Sequence, residues 1–378
     1  MSDQDRILAH LKSYQDDMVK LLEVFTNTDS PSTDKSLMDA FAKLVAREWE
    51  GLDAKVTILE QDTYGNHVKV EVGSGDETIL LLCHMDTVWD AGETQKRPFR
   101  VEDGKAYGPG VYDMKAGIVQ AFFAVKTLKD LGLLPEKKIV VLHNSEEEIG
   151  SPSSRPIIEE EAKKASAVLV LEPTALGGSL KTWRKGVGGF TVSIKGRASH
   201  AGADYEKGVS AITEAAHQML RLHGLTDLEA GTTVNVGVVS AGTRTNVVAE
   251  NATLGVDLRI KTMDAANTII PEILGLKPVH PEITLEVKGE LNRPPMERTE
   301  GNVRLFELAQ KIGREMGIEV TESGSGGGSD GNFTSALGIP TLDGLGAVGD
   351  GAHALTEHII VSSLPERAAI VAGLLLKI

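Results

Sequence analysis

Apolar residues follow helical spacing over the first fifty positions and then collect into short continuous runs. A break at 27–33 precedes a predicted amphipathic helix over 35–48. Continuous apolar runs are typical of strands buried on both faces of a sheet. They lie at 78–83, 138–143 and 167–171, with shorter strands predicted at 56–59 and 68–72 and helices at 114–131 and 154–165. Buried strands alternating with helices predict an α/β domain with a mixed, mostly parallel sheet between two helical layers.

The pattern changes near Gly186, where apolar and polar positions begin to alternate. Strands are predicted at 190–194, 233–239, 252–260 and 284–287, and helices at 210–222 and 265–274. This β-α-β-β-α-β order is that of ferredoxin-like α+β domains. The later elements are a helix at 301–316, a strand at 319–321, a Gly-rich loop at 323–330, a strand at 339–342 and a helix at 364–376. We therefore expect one domain of residues 1–186 and 294–378, interrupted by an inserted domain of residues 187–293.

Charge and cysteine content narrow the function classes. The 378 residues include 39 Lys+Arg and 54 Asp+Glu, for a net charge of −15, which argues against nucleic acid or an anionic membrane as a partner. The single cysteine, Cys83, excludes an internal disulfide and a Cys-based zinc site. The chain has no apolar run of about 18 residues and no charged-then-apolar leader. We expect a cytoplasmic protein.

Histidine and carboxylate side chains follow the buried strands. They are His84 after the first strand, Glu146–Glu148 after the second and Glu172 after the third, with Asp113 before a helix and His353 in a later polar loop. Ligands of an open parallel sheet bind beyond the carboxyl ends of its strands, so we expect these side chains to meet at one edge. Carboxylates that converge repel one another unless a cation lies between them. Histidine and carboxylate ligands without thiolate suit zinc, cobalt or manganese in a hydrolytic site.

Each of these residues also has an ordinary structural explanation. Asp113 could cap a helix, and Glu146–Glu148 could form a solvated turn. Their coincidence at three strand ends favours a metal site, and five ligands with one shared carboxylate suffice for two metals. Asp86, two residues after His84, can accept a hydrogen bond from the imidazole.

Seven short motifs stand in order along nearly the whole chain. They are LLCHMDTV (81–88), YGPGVYDMKAG (107–117), NSEEEIGS (144–151), LEPT (171–174), RASHAG (197–202), GGGSDG (326–331) and GAHALTE (351–357). Together they resemble the M20 family of metallopeptidases, and within it the glutamate carboxypeptidase branch (carboxypeptidase G2 type). The resemblance implies a zinc-peptidase-like three-layer catalytic domain with an inserted ferredoxin-like lid and dimerisation domain.

The resemblance also implies roles for individual residues. It assigns one zinc to His84 and Glu172, a second zinc to Glu148 and His353, and the bridging position to Asp113. Glu147 would be the general base, and Asp86 would support His84. Co²⁺ or Mn²⁺ could replace the two Zn²⁺. The implied reaction is hydrolysis of a peptide or N-acyl amide bond beside a free carboxylate, on a small peptide or N-acyl amino acid.

The inserted domain carries the implied substrate-binding residues. His200 would donate a hydrogen bond to the reaction's oxyanion from the other subunit of a homodimer, while Asn246 and Arg259 would hold the substrate carboxylate. Gly327 and Gly328 would present backbone at the floor of the pocket. The branch has an arginine, associated with glutamate recognition, where this chain has Gly324. The preferred side chain of the substrate is therefore open.

Two other functions remain as alternatives. The segment 326–331 satisfies G-x-G-x-x-G, and Asp343 follows at about the distance of a ribose-binding acid, so a dinucleotide-binding protein is one alternative. A non-catalytic relative that binds an amino acid or peptide is the other.

Overall fold

The computed structural model describes residues 2–378 and divides into two compact units. Unit 1 contains residues 2–183, together with Arg298–Ser325 and Ser329–Ile378, and unit 2 contains Arg184–Glu297 and Gly326–Gly328. The domain borders expected from the sequence, at 186/187 and 293/294, stay predictions.

The helices and strands are numbered in chain order. The helices are α1 (Asp3–Ser13), α2 (Gln15–Thr26), α3 (Lys35–Glu50), α4 (Glu93–Lys96), α5 (Ala116–Asp130), α6 (Arg155–Ala162), α7 (Ala211–His223), α8 (Met263–Leu274), α9 (Glu300–Met316), α10 (Gly331–Ala336) and α11 (Ser363–Lys377). The strands are β1 (Lys55–Leu59), β2 (His67–Val72), β3 (Thr78–His84), β4 (Arg100–Glu102), β5 (Lys105–Tyr107), β6 (Lys138–Asn144), β7 (Ala165–Val170), β8 (Leu180–Arg184), β9 (Gly186–Lys195), β10 (Thr233–Ala241), β11 (Asn251–Ile260), β12 (Thr284–Arg293), β13 (Glu322–Ser325), β14 (Thr341–Leu342), β15 (Gly349–Asp350) and β16 (His358–Ile360).

Unit 1 is built around a six-stranded sheet in the order β1-β2-β6-β3-β7-β14. Strands β6, β3, β7 and β14 run parallel to one another. Strand β2 pairs antiparallel with β6, and β1 pairs antiparallel with β2. Alternate residues of β3 enter two different cores: Ile79 and Leu81 pack with α1, α5 and α11, while Leu80 and Leu82 pack with α6 and α10. The predicted α/β fold with a mixed, mostly parallel sheet between helical layers is therefore confirmed.

Unit 2 contains a four-stranded antiparallel sheet in the order β10-β11-β9-β12. Alternate residues of its central strands are buried against α7 and α8, including Val192, Ile194, Leu254 and Leu258. This arrangement confirms the predicted ferredoxin-like α+β pattern.

Short strands account for the main differences from the sequence prediction. The strand predicted at 319–321 is wrong, because β13 begins at Glu322. Val320 is buried in the core of unit 1 without strand pairing, so its apolar character reflects packing. The sequence also did not predict the four-stranded sheet β15-β16-β5-β4, whose strands have only two or three residues. Between residues 2 and 378, none of the helices combines the length and the apolar character needed to cross a membrane.

Candidate metal centre

The parallel strands place two candidate ligands at one edge of the sheet. His84 is the last residue of β3 and lies opposite Asn144 at the end of β6, and Glu172 follows the end of β7 by two residues. Gly117, in the first turn of α5, allows this helix to approach β7 closely, because a Cβ there would collide with the carbonyl oxygen of Leu171. The start of α5, just after Asp113, therefore packs against the strand end that carries Glu172.

The first group of ligands consists of His84, Asp113 and Glu172. His84 Nε2 lies 3.0 Å from Asp113 Oδ1 and 3.5 Å from Glu172 Oε1. Its Nδ1 lies 3.0 Å from the backbone oxygen of Asp86, so Nδ1–H donates there and Nε2 faces the two carboxylates. Nε2 faces two carboxylate oxygens, so either a proton on Nε2 or a cation between these atoms would offset their charge. These three residues fit a metal ion.

The second group consists of Asp113, Glu148 and His353. His353 Nε2 lies 3.3 Å from Asp113 Oδ2 and 3.1 Å from Glu148 Oε2. Asp113 therefore presents one oxygen to each histidine and is common to both groups. Glu148 Oε1 is buried and has no hydrogen-bond partner within residues 2–378. An orphaned buried carboxylate oxygen is costly unless a cation binds it, so this group also fits a metal.

The contacts between the two histidines and their carboxylates, together with burial, shift the pKa values of these groups. Burial raises the pKa of Glu148 to about 7. Hydrogen bonds with Asp113 and Glu148 raise the pKa of His353 to about 11. Burial works against a charge on His84, yet the contacts with Asp113 and Asp86 raise its pKa well above the usual value. Burial also works against a charge on Asp113, but hydrogen bonds from His353 and His84 hold its pKa well below the usual range. The cluster thus favours positive charge next to Asp113.

Asp86 connects the first group to the loop that follows β6. Its side chain is fully buried, and Oδ1 lies 3.4 Å from His84 Nδ1. The same carboxylate accepts the backbone N–H groups of Glu147 and Glu148, each at 3.1 Å, and the Ser32 hydroxyl at 2.6 Å. Asp86 therefore orients the imidazole and also fixes the backbone of the two glutamates.

The three consecutive glutamates have different environments. Glu146 is buried, and its carboxylate accepts the backbone N–H groups of Ser153 and Ser154 at 2.8 and 2.9 Å. Glu147 is partly buried and opens the short 3₁₀ turn at Glu147–Ile149, while Glu148 belongs to the second group. Glu148 is thus the one of the three whose carboxylate joins the ligands.

Sequence reasoning missed Glu357. The residue is 1% exposed, and its carboxylate accepts the backbone N–H of Asp113 at 3.0 Å. The motif GAHALTE contains Glu357, but nothing in the motif assigns it a role. Its contact depends on the pairing of β16 with β5, two strands that are too short to give a sequence signal.

The predicted substrate-binding residues lie in unit 2. His200 Nδ1 accepts the backbone N–H groups of Gly202 and Ala203 at 3.1 and 3.0 Å, so in neutral histidine the proton lies on Nε2, which can donate. The backbone oxygen of Asn246 accepts the N–H of Ala201 at 3.0 Å, which brings the Asn246 loop to the His200 loop.

Arg259 and the glycine loop are held by other contacts of unit 2. Arg259 lies on β11, and its Nε donates to both carboxylate oxygens of Asp257 at 2.9 and 3.1 Å. The backbone oxygens of Gly327 and Gly328 accept hydrogen bonds from the buried Arg184 at 3.3 and 2.9 Å. No direct contact of Arg259 with the His200 loop occurs among the hydrogen bonds and ion pairs described for it.

Trp183 covers the position of Gly324 within unit 1. A Cβ on Gly324 would collide with the indole ring, so the indole fills the space that a side chain at 324 would need. The chain therefore offers an aromatic ring where the glutamate carboxypeptidase branch was expected to have an arginine.

The segment 326–331 does not form a dinucleotide-binding unit. The preceding β13 has four residues and lies in a two-stranded sheet with β8, and the following α10 has six residues. A dinucleotide fingerprint requires a parallel strand that leads into a helix of a βαβ unit. The structure therefore gives no support to the dinucleotide-binding alternative.

Comparison with known proteins identifies the family of this chain. Residues 80–377 match the family described as Peptidase family M20/M25/M40. Carboxypeptidase G2 of Pseudomonas sp. (strain RS-16) is 34% identical over 368 residues, covering 95% of this chain and 88% of that protein.

Solved structures show the same fold at lower identity. The aminopeptidase PepT from Bacillus cereus matches with a TM-score of 0.78 and 23% identity, covering 96% of this chain and 98% of the other. A dinuclear metal-binding peptidase of the M20 family from Bacillus subtilis matches with a TM-score of 0.74 and 15% identity, covering 97% and 98%. This chain belongs to the M20 peptidase family and is an enzyme of its metallopeptidase and amidohydrolase class.

Proposed function

We propose that this enzyme is a dizinc-dependent hydrolase that cleaves a peptide or N-acyl amide bond beside a free carboxylate. The observation that carries the proposal is the pair of three-ligand groups that share Asp113. Two separate carboxylate oxygens of one residue, each 3.0–3.3 Å from a different imidazole, suit a bridging ligand. The similarity to a dinuclear metal-binding peptidase supports the same stoichiometry.

Five side chains would hold the metals. His84 and Glu172 would bind one, Glu148 and His353 would bind the other, and Asp113 would bind both. Nitrogen and oxygen ligands in this combination suit Zn²⁺, with Co²⁺ or Mn²⁺ as substitutes. When bound, the metals would polarise the scissile carbonyl and lower the pKa of the attacking water.

The remaining catalytic work would fall to Glu147 and His200. Asp86 accepts the backbone N–H of Glu147, which limits where the Glu147 carboxylate can reach. A Glu147 carboxylate oxygen would take a proton from the attacking water and transfer it to the nitrogen of the leaving amine. The backbone contacts of His200 Nδ1 leave Nε2–H to donate to the developing oxyanion.

Recognition of a free carboxylate is proposed for unit 2. The Arg259 guanidinium contacts Asp257 through Nε, and its planar fork is suited to a carboxylate. Asn246, Gly327 and Gly328 would complete the subsite with amide and backbone groups. The similarity to a protein named as a carboxypeptidase supports a substrate with a carboxylate beside the cleaved bond.

The strand β10 supports the predicted homodimer through the inserted domain. It is an edge strand of its sheet, and Val238 and Val239 are 67% and 50% exposed. An edge strand with exposed apolar residues is a surface to which another strand can add. The homodimer and the cytoplasmic location stay predictions.

A hydrolysis screen tests the proposal. Purified protein would be treated with a chelator, reloaded with Zn²⁺, Co²⁺ or Mn²⁺, and assayed for amino acid release from dipeptides and N-acyl amino acids. Each substrate would be paired with its amide, in which the free carboxylate is blocked. We expect metal-dependent release from the acids and much slower release from the amides. Equal rates on acids and amides would contradict carboxylate recognition, and activity that survives chelation would contradict the metal-dependent reaction.

A further inference from the structure

One buried carboxylate outside the two ligand groups joins the segments that carry two of the ligands. Glu357 lies four residues after His353 and is 1% exposed. Its Oε1 accepts the backbone N–H groups of Tyr112 and Asp113 at 2.9 and 3.0 Å. Its Oε2 accepts the backbone N–H of Gly110 at 2.9 Å and the Trp89 indole N–H at 3.1 Å. Four donors therefore converge on one side chain that is not itself a ligand.

These bonds act on Asp113 at its backbone. The segment 110–113 leads into a single irregular turn, Val111–Lys115, in which residues 113 and 114 depart from helical backbone angles. Three of its N–H groups end on Glu357. Hydrogen bonds to a carboxylate are stronger than those between neutral groups, so Glu357 restrains where the Asp113 backbone lies.

The same residue restrains the loop that carries His353. Two successive turns connect them: Ala354 N–H donates to Gly351 O at 2.8 Å, and Glu357 N–H donates to Ala354 O at 3.0 Å. His353 itself has a left-handed backbone conformation, with φ of 61°, which residues other than glycine seldom adopt. A strained conformation persists only where its surroundings hold it. The anchored Glu357 supplies a fixed end to this turn.

A neighbouring cation–aromatic pair reinforces the anchor. The Arg97 guanidinium lies 4.1 Å from the centre of the Trp89 ring and donates to the backbone oxygen of Leu355 at 3.3 Å. Trp89 and Arg97 thus contact Glu357 and the loop between His353 and Glu357. These contacts together restrain one side of the second ligand group.

We propose that Glu357 is a positioning residue for the second metal, because it sets the distance between Asp113 and His353. This inference rests on the proposed two-metal function. The first group shares Asp113, but its histidine, His84, is fixed by β3 and by Asp86, neither of which contacts Glu357 through a described hydrogen bond. In the second group, Glu357 restrains both Asp113 and the loop of His353. Loss of Glu357 should therefore weaken one metal more than the other.

Glu357→Gln is the direct test. Each oxygen of Glu357 accepts two N–H groups, so the amide NH₂ of glutamine must face two donors whichever way it is oriented. Glu214→Gln is the matched control, because Glu214 is a 2% exposed carboxylate in unit 2 that accepts the backbone N–H groups of Val279 and His280 and the amide of Gln218. Both variants lose one buried charge, but only Glu357 lies next to the metal ligands.

The measurement is calorimetric titration of chelator-treated wild type and both variants with Zn²⁺, together with a thermal melt of each. We expect Glu357→Gln to bind one equivalent about 10–100-fold more weakly, the range seen when support of a metal ligand is removed, with the other changed much less. Glu214→Gln should keep both affinities. Unchanged affinities in Glu357→Gln, or an equal loss at both equivalents, would overturn the inference.

Two further outcomes can be distinguished from these: a wild type that binds too little zinc, and a variant that does not fold. A wild type that binds fewer than two Zn²⁺ would overturn the proposed two-metal function, and with it this inference. Should Glu357→Gln yield no folded protein, Trp89→Phe takes its place, since it removes one donor to Oε2 and keeps an aromatic ring. We expect it to weaken one equivalent by about threefold to tenfold, the effect of one hydrogen bond. An unchanged affinity there would overturn the inference.

Discussion

The two units hold their candidate functional residues in different ways. In unit 1, residues far apart in the chain meet within 3.0–3.5 Å, and His84 and Glu172 are buried. In unit 2, His200 and Arg259 are more accessible and are held by neighbours two or three positions away. When buried side chains from distant parts of the sequence meet, the fold fixes the distances between their charged groups. Contacts between neighbours in the sequence fix only the orientation of one side chain. The difference supports the proposed division, in which unit 1 supplies the metal ligands and Glu147, while unit 2 supplies His200 and the contacts to the substrate carboxylate.

Removal of the shared ligand, Asp113, should have the largest effect on metal binding and turnover. Asp113→Ala deprives both groups of a ligand, so we expect both metals to be lost or strongly weakened. Metal catalysis contributes several kcal/mol, so turnover should fall by more than about 1,000-fold. Metal content and kcat would be measured against Asp76→Ala, a change in an exposed turn. A variant with one metal still tightly bound and substantial activity would show that Asp113 is not shared.

Removal of the proposed base should separate catalysis from metal binding within unit 1. Glu147→Gln keeps the size of the side chain but cannot take up a proton, so kcat should fall by about 10²–10⁴-fold. Both metals should remain, since Glu147 belongs to neither ligand group. The control is Glu160→Gln on the exposed face of α6, where Glu160 pairs with Lys164. Near-normal kcat with full metal content would contradict the proposed role.

A change in unit 2 should have the smallest effect and a different kinetic signature. Arg259→Ala removes one proposed contact to the substrate carboxylate, which at about 1.5–3 kcal/mol corresponds to about a 10–100-fold rise in KM. We expect kcat and metal content to change far less. Arg221→Ala is the control, because Arg221 lies in the same unit and contacts only Glu272 at 3.9 Å among its described ion pairs. A large loss of metal in Arg259→Ala would contradict the division of roles.

The sequence predicted the strand-end ligands because a parallel sheet brings the carboxyl ends of its strands together. His84 and Glu172 follow long apolar runs, whose pattern is strong. The sequence did not predict how the Asp113 and His353 loops meet, since the strands that join them, β5 and β16, have three residues each. Glu357 was missed for the same reason.

The sequence pattern also did not predict which side chains pack against one another in the folded chain. Gly324 was recognised as a departure from the expected arginine, but the position of Trp183 over it depends on how β8 pairs with β13. Val320 gave an apolar signal that resembles a strand, although it packs into the core as part of a loop. In both cases the tertiary contact, rather than the local pattern, determines the structure.

Activity measured against bound metal tests the two-metal site most directly. Chelator-treated protein would be titrated with Zn²⁺ while hydrolysis of the best substrate and bound zinc are followed together. The shared position of Asp113 between two ligand groups predicts that activity reaches its maximum near two zinc ions per chain. Maximal activity at one zinc ion per chain, or without any bound metal, would contradict a site in which Asp113 serves two metals.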